Sequence, residues 1–466
     1  MPDAHKAASA GAYSYRDPSG FVFEAGGTFY RQVNKLFAED FEQFVTGGCY
    51  EKLVHEGLLL PHERVAENLT GQAGWHTTLR LEKIPFVSYP YEWSFDMLRD
   101  TALGTLRLMR ETMDFGITLK DATPYNWQWF RGRLMFVDTL SFCRYNPSEP
   151  WIAYRQFCES FLAPLLLMHH RKESLQQLFL AHPDGIPLRI AGALLPWKTR
   201  FSLHTYLHIH LNAKIAGRAD RGSEKQFHFS RKKMLNLISS LEQLVGGLRL
   251  PDRKTEWSHY FEEAALREDY LARKKDLVSE WIAQLPQPEL ALDIGANEGA
   301  FCMLLARRSR HTVAADQDPY CINRLYRKVR GQQDPNIQPL VLDVANPSPA
   351  LGILNRERQA FLQRGRCDLV LALGLIHHLV IGRNIPLPLL AELFAGLGKF
   401  LVIEFIPGDD EKLRHMLQQK KGVSHPYDKT LFEAAFREKF EVLATESPGS
   451  SGRILYLMKR QAMKSP

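Results

Sequence analysis

Three carboxylates and a pair of histidines stand at spacings that suit one site. Asp293 lies in Leu290-Ala-Leu-Asp-Ile-Gly-Ala-Asn-Glu-Gly-Ala-Phe301, after an apolar run and ahead of Gly295 and Gly299. Asp316 follows Gly295 by 21 residues and ends the run Thr312-Val-Ala-Ala. Asp343 closes a third apolar run and is followed by Val344, and His377-His378 follow a fourth. An acidic residue where Asp316 stands accepts hydrogen bonds from ribose hydroxyls. Asp343 can accept from an adenine amino group, with the Val344 N–H beside it. Gly295 lets the backbone turn sharply and lets a ligand come close. His377 and His378 stand where a general base could act, although one could equally support the pocket while the other packs. Glu404 and Asp409-Asp410 are further polar candidates. Glu404 reads equally as a loop stabiliser, and the Asp pair as an acidic helix cap.

These residues need strands to carry them. Strand-like runs beginning at 290, 312, 338, 367 and 400 alternate with helical patterns at 300–306, 320–329, 350–363, 386–397, 412–417 and 431–440. Such alternation predicts a parallel sheet with helices on both faces. Strands at 442–445 and 453–458, around Pro448-Gly-Ser-Ser-Gly452, close the chain and should add one antiparallel edge strand. Each candidate carboxylate then falls at a strand C-terminus, where open α/β sheets bind ligands. A long helix at 260–285 leads into the first strand.

The ordered set resembles the class I S-adenosylmethionine-dependent methyltransferases. It consists of Asp293-x-Gly295-x-x-x-Gly299, Asp316, Asp343, His377-His378-Leu379 and the closing hairpin. The resemblance spans about 258–460 and implies an α/β, Rossmann-like, seven-stranded sheet, mostly parallel with the last strand antiparallel. It further implies that Gly295, Ala296, Asn297 and Gly299 wrap the methionine part of S-adenosyl-L-methionine. Asp293 would approach its amino group, Asp316 its ribose, and Asp343 with Val344 its adenine. Catalysis by alignment and exclusion of water follows, with His377 or His378 as candidate base. Dinucleotide-binding domains show a third glycine and usually lack the antiparallel strand. More narrowly, Ala372-Leu-Gly-Leu-Ile-His-His-Leu-Val-Ile-Gly-Arg-Asn-Ile-Pro386 and Val402-Ile-Glu-Phe-Ile-Pro407 look like nodulation-associated methyltransferases. The Asn/Asp-Pro-Pro-Tyr and Pro-Cys signatures of DNA base methylation are absent after the fourth strand.

Before this domain the reading is α+β and helix-rich. A hairpin is expected around Gly26-Gly27, helices at 37–56 and 94–115, and a strand pair around Arg131-Gly132. Asp121-x-x-x-x-Asn126, with Asp138 beyond the strand pair, resembles the catalytic and metal-binding loops of the protein-kinase-like fold. There the first Asp is a base, while the Asn and second Asp hold Mg²⁺. The chain departs from that pattern: Leu119-Lys120 stands for His-Arg, and Asp138-Thr-Leu-Ser for Asp-Phe-Gly. The same residues read equally well as loop caps. His204, His208 and His210 favour packing over metal binding, so no metal site is expected.

The chain has 466 residues, 45% hydrophobic, with six scattered cysteines and a net charge of +7. That length suggests two or three domains. The charge is about −3 over 1–197, +8 over 198–254 and +2 over 255–466. No stretch of about 18 uncharged apolar residues occurs, so no membrane span is expected. Cysteines without a C-x-x-C pattern suit reduced thiols in a cytoplasmic protein. The expected organisation is a disordered leader at 1–19, an N-terminal domain at 20–217, a basic helical connector at 218–257 and the methyltransferase domain at 258–461. The expected activity is methyl transfer to an unidentified acceptor, small molecule or glycan ahead of protein or RNA. Nucleic acid is a less favoured partner through the basic connector, which includes Arg231-Lys-Lys233. A regulatory protein that binds the cofactor without transfer is the alternative.

Overall fold

A computed structural model describes residues 15–216, 229–255, 268–332, 336–410, 413–414, 425–449 and 452–462. The chain forms two compact units, Met1–Pro251 with Ala350–Gln359, and Asp252–Pro349 with Ala360–Pro466.

The first unit begins with the hairpin of β1 (Gly20–Ala25) and β2 (Thr28–Asn34), turning where Gly26 and Gly27 take φ of 58° and 78°. With β3 (His62–Val65) and β4 (Trp75–Leu81) they form an antiparallel sheet in the order β1-β2-β4-β3. The helix Phe95–Thr112 buries Met97, Leu98, Leu106 and Met109 of the apolar stripe expected from Met97, Leu98, Leu103, Leu106 and Met109, but Leu103 is only half-buried and Ala102 is buried instead. Strand β5 (Ile117–Leu119) follows, then the hairpin β6 (Trp127–Phe130) and β7 (Arg133–Phe136), and β8 (Phe142–Arg144), which pairs with β5.

The stretch taken as a connector contributes the helix Arg231–Gly247 to the first unit itself. Its Met234, Ile238, Leu241 and Val245 are buried, and Arg110 forms an ion pair with Glu242. Residues 218–228 and 256–257 of that stretch lie outside the described residues, as does most of the pattern at 412–417. The helix expected at 350–363 is only Phe361–Arg364. Gly352 at φ +85° breaks the pattern, and Leu354 and Asn355 follow with positive φ. Residues 350–359 instead complete the first unit, where Arg358 lies 4.0 Å over the Tyr125 ring.

The second unit carries β9 (Leu290–Ile294), β10 (His311–Asp316), β11 (Ile337–Val341), β12 (Cys367–Ala372), β13 (Gly398–Phe405), β14 (Phe440–Glu446) and β15 (Ile454–Arg460) in one sheet. Its order is β11-β10-β9-β12-β13-β15-β14. Strands β9 to β13 run parallel, and β15 is antiparallel to both neighbours. This is the Rossmann-like, seven-stranded arrangement with one reversed strand. The edge strand, however, is β14, and the reversed β15 lies one place in. The order reverses between β9 and β12, which opens a crevice at their C-terminal ends. The helix Glu268–Gln284 closes one face, packing Leu277, Val278, Trp281 and Ile282 on Ala291, Leu369, Leu371 and Val402.

Candidate functional site

The crevice holds a cavity of about 230 Å³ lined by residues from the ends of β9, β10, β11 and β12 and the loops after them. Asp293, Gly295, Ala296, Asn297, Asp316, Asp343, Val344 and His378 all border it. The strand register explains the convergence. Asp293 pairs with Ala314 of β10 and Leu371 of β12, so the three strands end side by side.

Asp316 is fixed by two amides. The N–H of Asn297 donates to Oδ2 and that of Asp318 to Oδ1, each at 2.8 Å. Burial pushes this carboxyl up to about 6, against the lowering effect of those amides. Asp293 accepts from the Cys302 thiol at 3.0 Å, and burial pushes it up to about 6 as well. Asp343 is more open. Its Oδ1 accepts from the Ala345 N–H at 2.9 Å, and its Oδ2 pairs with Arg383 at 2.9 Å.

The two glycines of the motif part company. Gly295 (φ +83°) borders the cavity, and a Cβ there would meet Leu375 at an ordinary 3.7 Å. Gly299 (φ +82°) is not part of the lining, and a Cβ there would lie 2.6 Å from Leu325. It lets the helix Pro319–Val329 pack close. The histidines also divide. His378 borders the cavity, whereas His377 is buried and not part of its lining, with ring centroids 3.9 Å apart.

Lys274 was not singled out from the sequence. It lines the cavity from the helix Glu268–Gln284, and its Nζ donates to Glu404 Oε2 at 2.6 Å. Tyr270 donates to the other oxygen of Glu404. Burial raises the Glu404 pKa, but Lys274, Arg453 and these hydrogen bonds outweigh it and hold the group below its ordinary value. Lys274 shares a helical face with the buried Leu277, Val278 and Trp281, so a lone cation on an apolar stripe was the available signal. Arg383 and Leu375 carried none. Asp410 pairs with Arg453 at 2.9 Å.

In the first unit, Asp121, Asn126 and Asp138 belong to one network. The Asn126 amide donates to Asp121 at 3.2 Å and to Ser141 at 3.0 Å, and Gln156 donates to Asp121 at 2.6 Å. Ser141 donates to Asp138, which forms an ion pair with Arg31. Of the three histidines, His204 and His208 both meet Ser240 and His210 meets Thr199. Among the described residues no group of three or more His, Cys, Asp or Glu side chains could hold a metal ion. No helix among them is long and apolar enough to cross a membrane.

No family model matches the chain. Among solved structures, it is similar to the N-methyltransferase NodS from Bradyrhizobium japonicum WM9 (14% identity, 41% of this chain and 97% of that one, TM-score 0.32). It is also similar to the magnesium protoporphyrin IX methyltransferase ChlM from Synechocystis PCC 6803 with bound S-adenosylhomocysteine (16% identity, 42% and 87%, TM-score 0.30). A curated relative is the nodulation protein NoeA of Rhizobium meliloti (strain 1021), 31% identical over 460 residues. That identity spans 96% of each chain, and this protein belongs to the NoeA family.

Proposed function

We propose that the second unit is an S-adenosylmethionine-dependent methyltransferase. One observation carries this reading: three carboxylates end successive strands around one cavity at the point where the strand order reverses. Ligands settle at that point in open α/β sheets.

The residues present fit the cofactor. Asp316, held by two amides, would accept from ribose hydroxyls. Leu342, Val344 and Leu379 offer apolar walls for a purine, and Asp343 a polar edge. Asp293 and Gly295 suit the amino-acid end, where Lys274 would meet a carboxylate. Gly299 and His377 act at one remove, through packing. When bound, the cofactor supplies an electrophilic sulfonium methyl. The chain's part is to orient the acceptor, exclude water and take its proton. Among the candidate bases, the His378 imidazole alone borders the cavity. We assign the first unit a recognition or regulatory role. Its Asp121–Asn126–Asp138 network, with Asp138 neutralised by Arg31, supports a structural clasp in a kinase-like arrangement over phosphoryl transfer.

Calorimetry of the full chain with S-adenosylmethionine tests the reading. Wild type should bind, and Asp316→Ala should weaken binding by about 10-fold or more, the cost of lost hydrogen bonds to a charged acceptor. No binding by wild type overturns it. Binding without methyl transfer to any extract component, read with labelled cofactor, leaves the protein a cofactor-binding regulator.

A further inference from the structure

We infer that the first unit docks on an anionic lipid surface through the segment from Leu194 to Leu207. Five of the fifteen exposed large hydrophobic side chains among the described residues fall there: Leu194, Trp197, Phe201, Leu203 and Leu207. Scattered exposed apolar residues need no explanation, but a contiguous set marks an interaction surface. Trp197, Phe201 and Leu203 are 65%, 79% and 67% exposed, so little of each is buried against the fold.

The segment is held rigidly in this pose. Trp197–Phe201 is a short helical turn, with the two rings edge to face at 5.4 Å. Thr199, between them, is buried, and its hydroxyl meets the Pro196 carbonyl at 2.8 Å and His210 at 2.9 Å. In the next helical stretch Thr205, His208 and Ile209 face inward. His204 and His208 are fastened to Ser240 of the helix Arg231–Gly247. The inner face is thereby pinned, and Leu203 and Leu207, one turn apart, are left outward.

Charge selects the occupant. No Asp or Glu occurs between Asp184 and Asp220, while Arg189, Lys198, Arg200 and Lys214 all do. All four cations are exposed. Tryptophan, phenylalanine and leucine projecting among lysines and arginines are the composition that enters the headgroup boundary of an anionic bilayer. Its surface potential attracts each nearby cation. The inference is independent of the methyltransferase reading.

The test is co-sedimentation of the full chain with vesicles of phosphatidylcholine alone and with phosphatidylglycerol added at one part in four. Wild type should partition onto the anionic vesicles and much less onto the neutral ones. Lys198→Ala with Arg200→Ala should weaken that binding about 25-fold, about fivefold per cation. Phe201→Ser should weaken it at least about 10-fold by loss of buried apolar area. Three results overturn the inference: wild type left in the supernatant with anionic vesicles at low salt; both variants partitioning as wild type does; or lipid-free self-association that Phe201→Ser abolishes, which gives the face to a second copy of the chain.

Discussion

Lys274 Nζ stands 2.6 Å from Glu404 Oε2, with the two side chains 4% and 0% exposed. The pair joins the wall of the cavity to the end of β13 in the second unit. Removing one member of a buried pair strands the other charge, at a cost of about 3–5 kcal/mol, whereas neutralising both is often tolerated. Lys274→Met should therefore destabilise the second unit by about that amount. Lys274→Met with Glu404→Gln, which keeps an acceptor for Tyr270, should recover most of the loss. Hydrogen exchange of peptides from β9 and β13 reads both variants. Equal losses in the single and double variants would mean that packing, and not the pair, is what matters.

If Asp316 holds the ribose as proposed, cofactor binding should be sensitive to pH. Its carboxyl is pushed up to about 6 by burial, so it begins to protonate within a unit of neutrality. The protonated form loses acceptor capacity toward two hydroxyls. Affinity for S-adenosylmethionine should fall as pH drops through about 6 and level off above 7. Asp316→Asn should bind weakly at every pH and show a flatter profile. A wild-type affinity constant from pH 5 to 8 would separate Asp316 from the ribose.

The two units should respond differently to acid. In the first, burial holds His62 and His208 down to about 4. Below the ordinary histidine value the unfolded chain takes protons that these folded residues refuse. Stability is then complete above 6.5 and falls with pH toward 4, by at most ~1.4 kcal/mol per pH unit per histidine. In the second unit Asp293 and Asp316 are raised to about 6. The folded form there holds protons that the unfolded chain has released, so stability rises as pH falls from 6 toward 4. His311, lowered by burial, opposes this as one group against two. Hydrogen exchange between pH 6.5 and 5 should show protection falling in the first unit while it holds or increases in the second. A parallel decline in both would contradict these assignments.

The order of strands and the carboxylates at their ends were legible because each signal is local: an apolar run, then a polar residue where it stops. What was not legible depends on pairing across the chain. β15 inserts between β13 and β14, a placement that two consecutive apolar runs do not encode. Residues 350–359 carry apolar spacing that resembles a helix, yet Gly352 at φ +85° turns the backbone away. The Arg31–Asp138 pair joins residues 107 apart, so Asp138 could be singled out but its neutralising partner could not. Arg383 reaches Asp343 across 40 residues from an exposed loop, again without local pattern.

Gly295 and Gly299 look equivalent in the sequence, and alanine at each should separate their roles. Both have φ near +83°, so each substitution carries about 1–2 kcal/mol of backbone strain. At Gly299 the new methyl would also lie 2.6 Å from Leu325, a fully buried side chain. Overpacking adds about 1–3 kcal/mol. Gly299→Ala should therefore lower thermal stability most, while the folded fraction keeps near-normal cofactor affinity. At Gly295 the methyl finds ordinary contact distance to Leu375 but borders the cavity. Gly295→Ala should lower stability less and weaken cofactor binding more. Melting temperature and calorimetric affinity on the same two proteins decide it. The reverse ranking would place Gly299 against the ligand and remove Gly295 from the site.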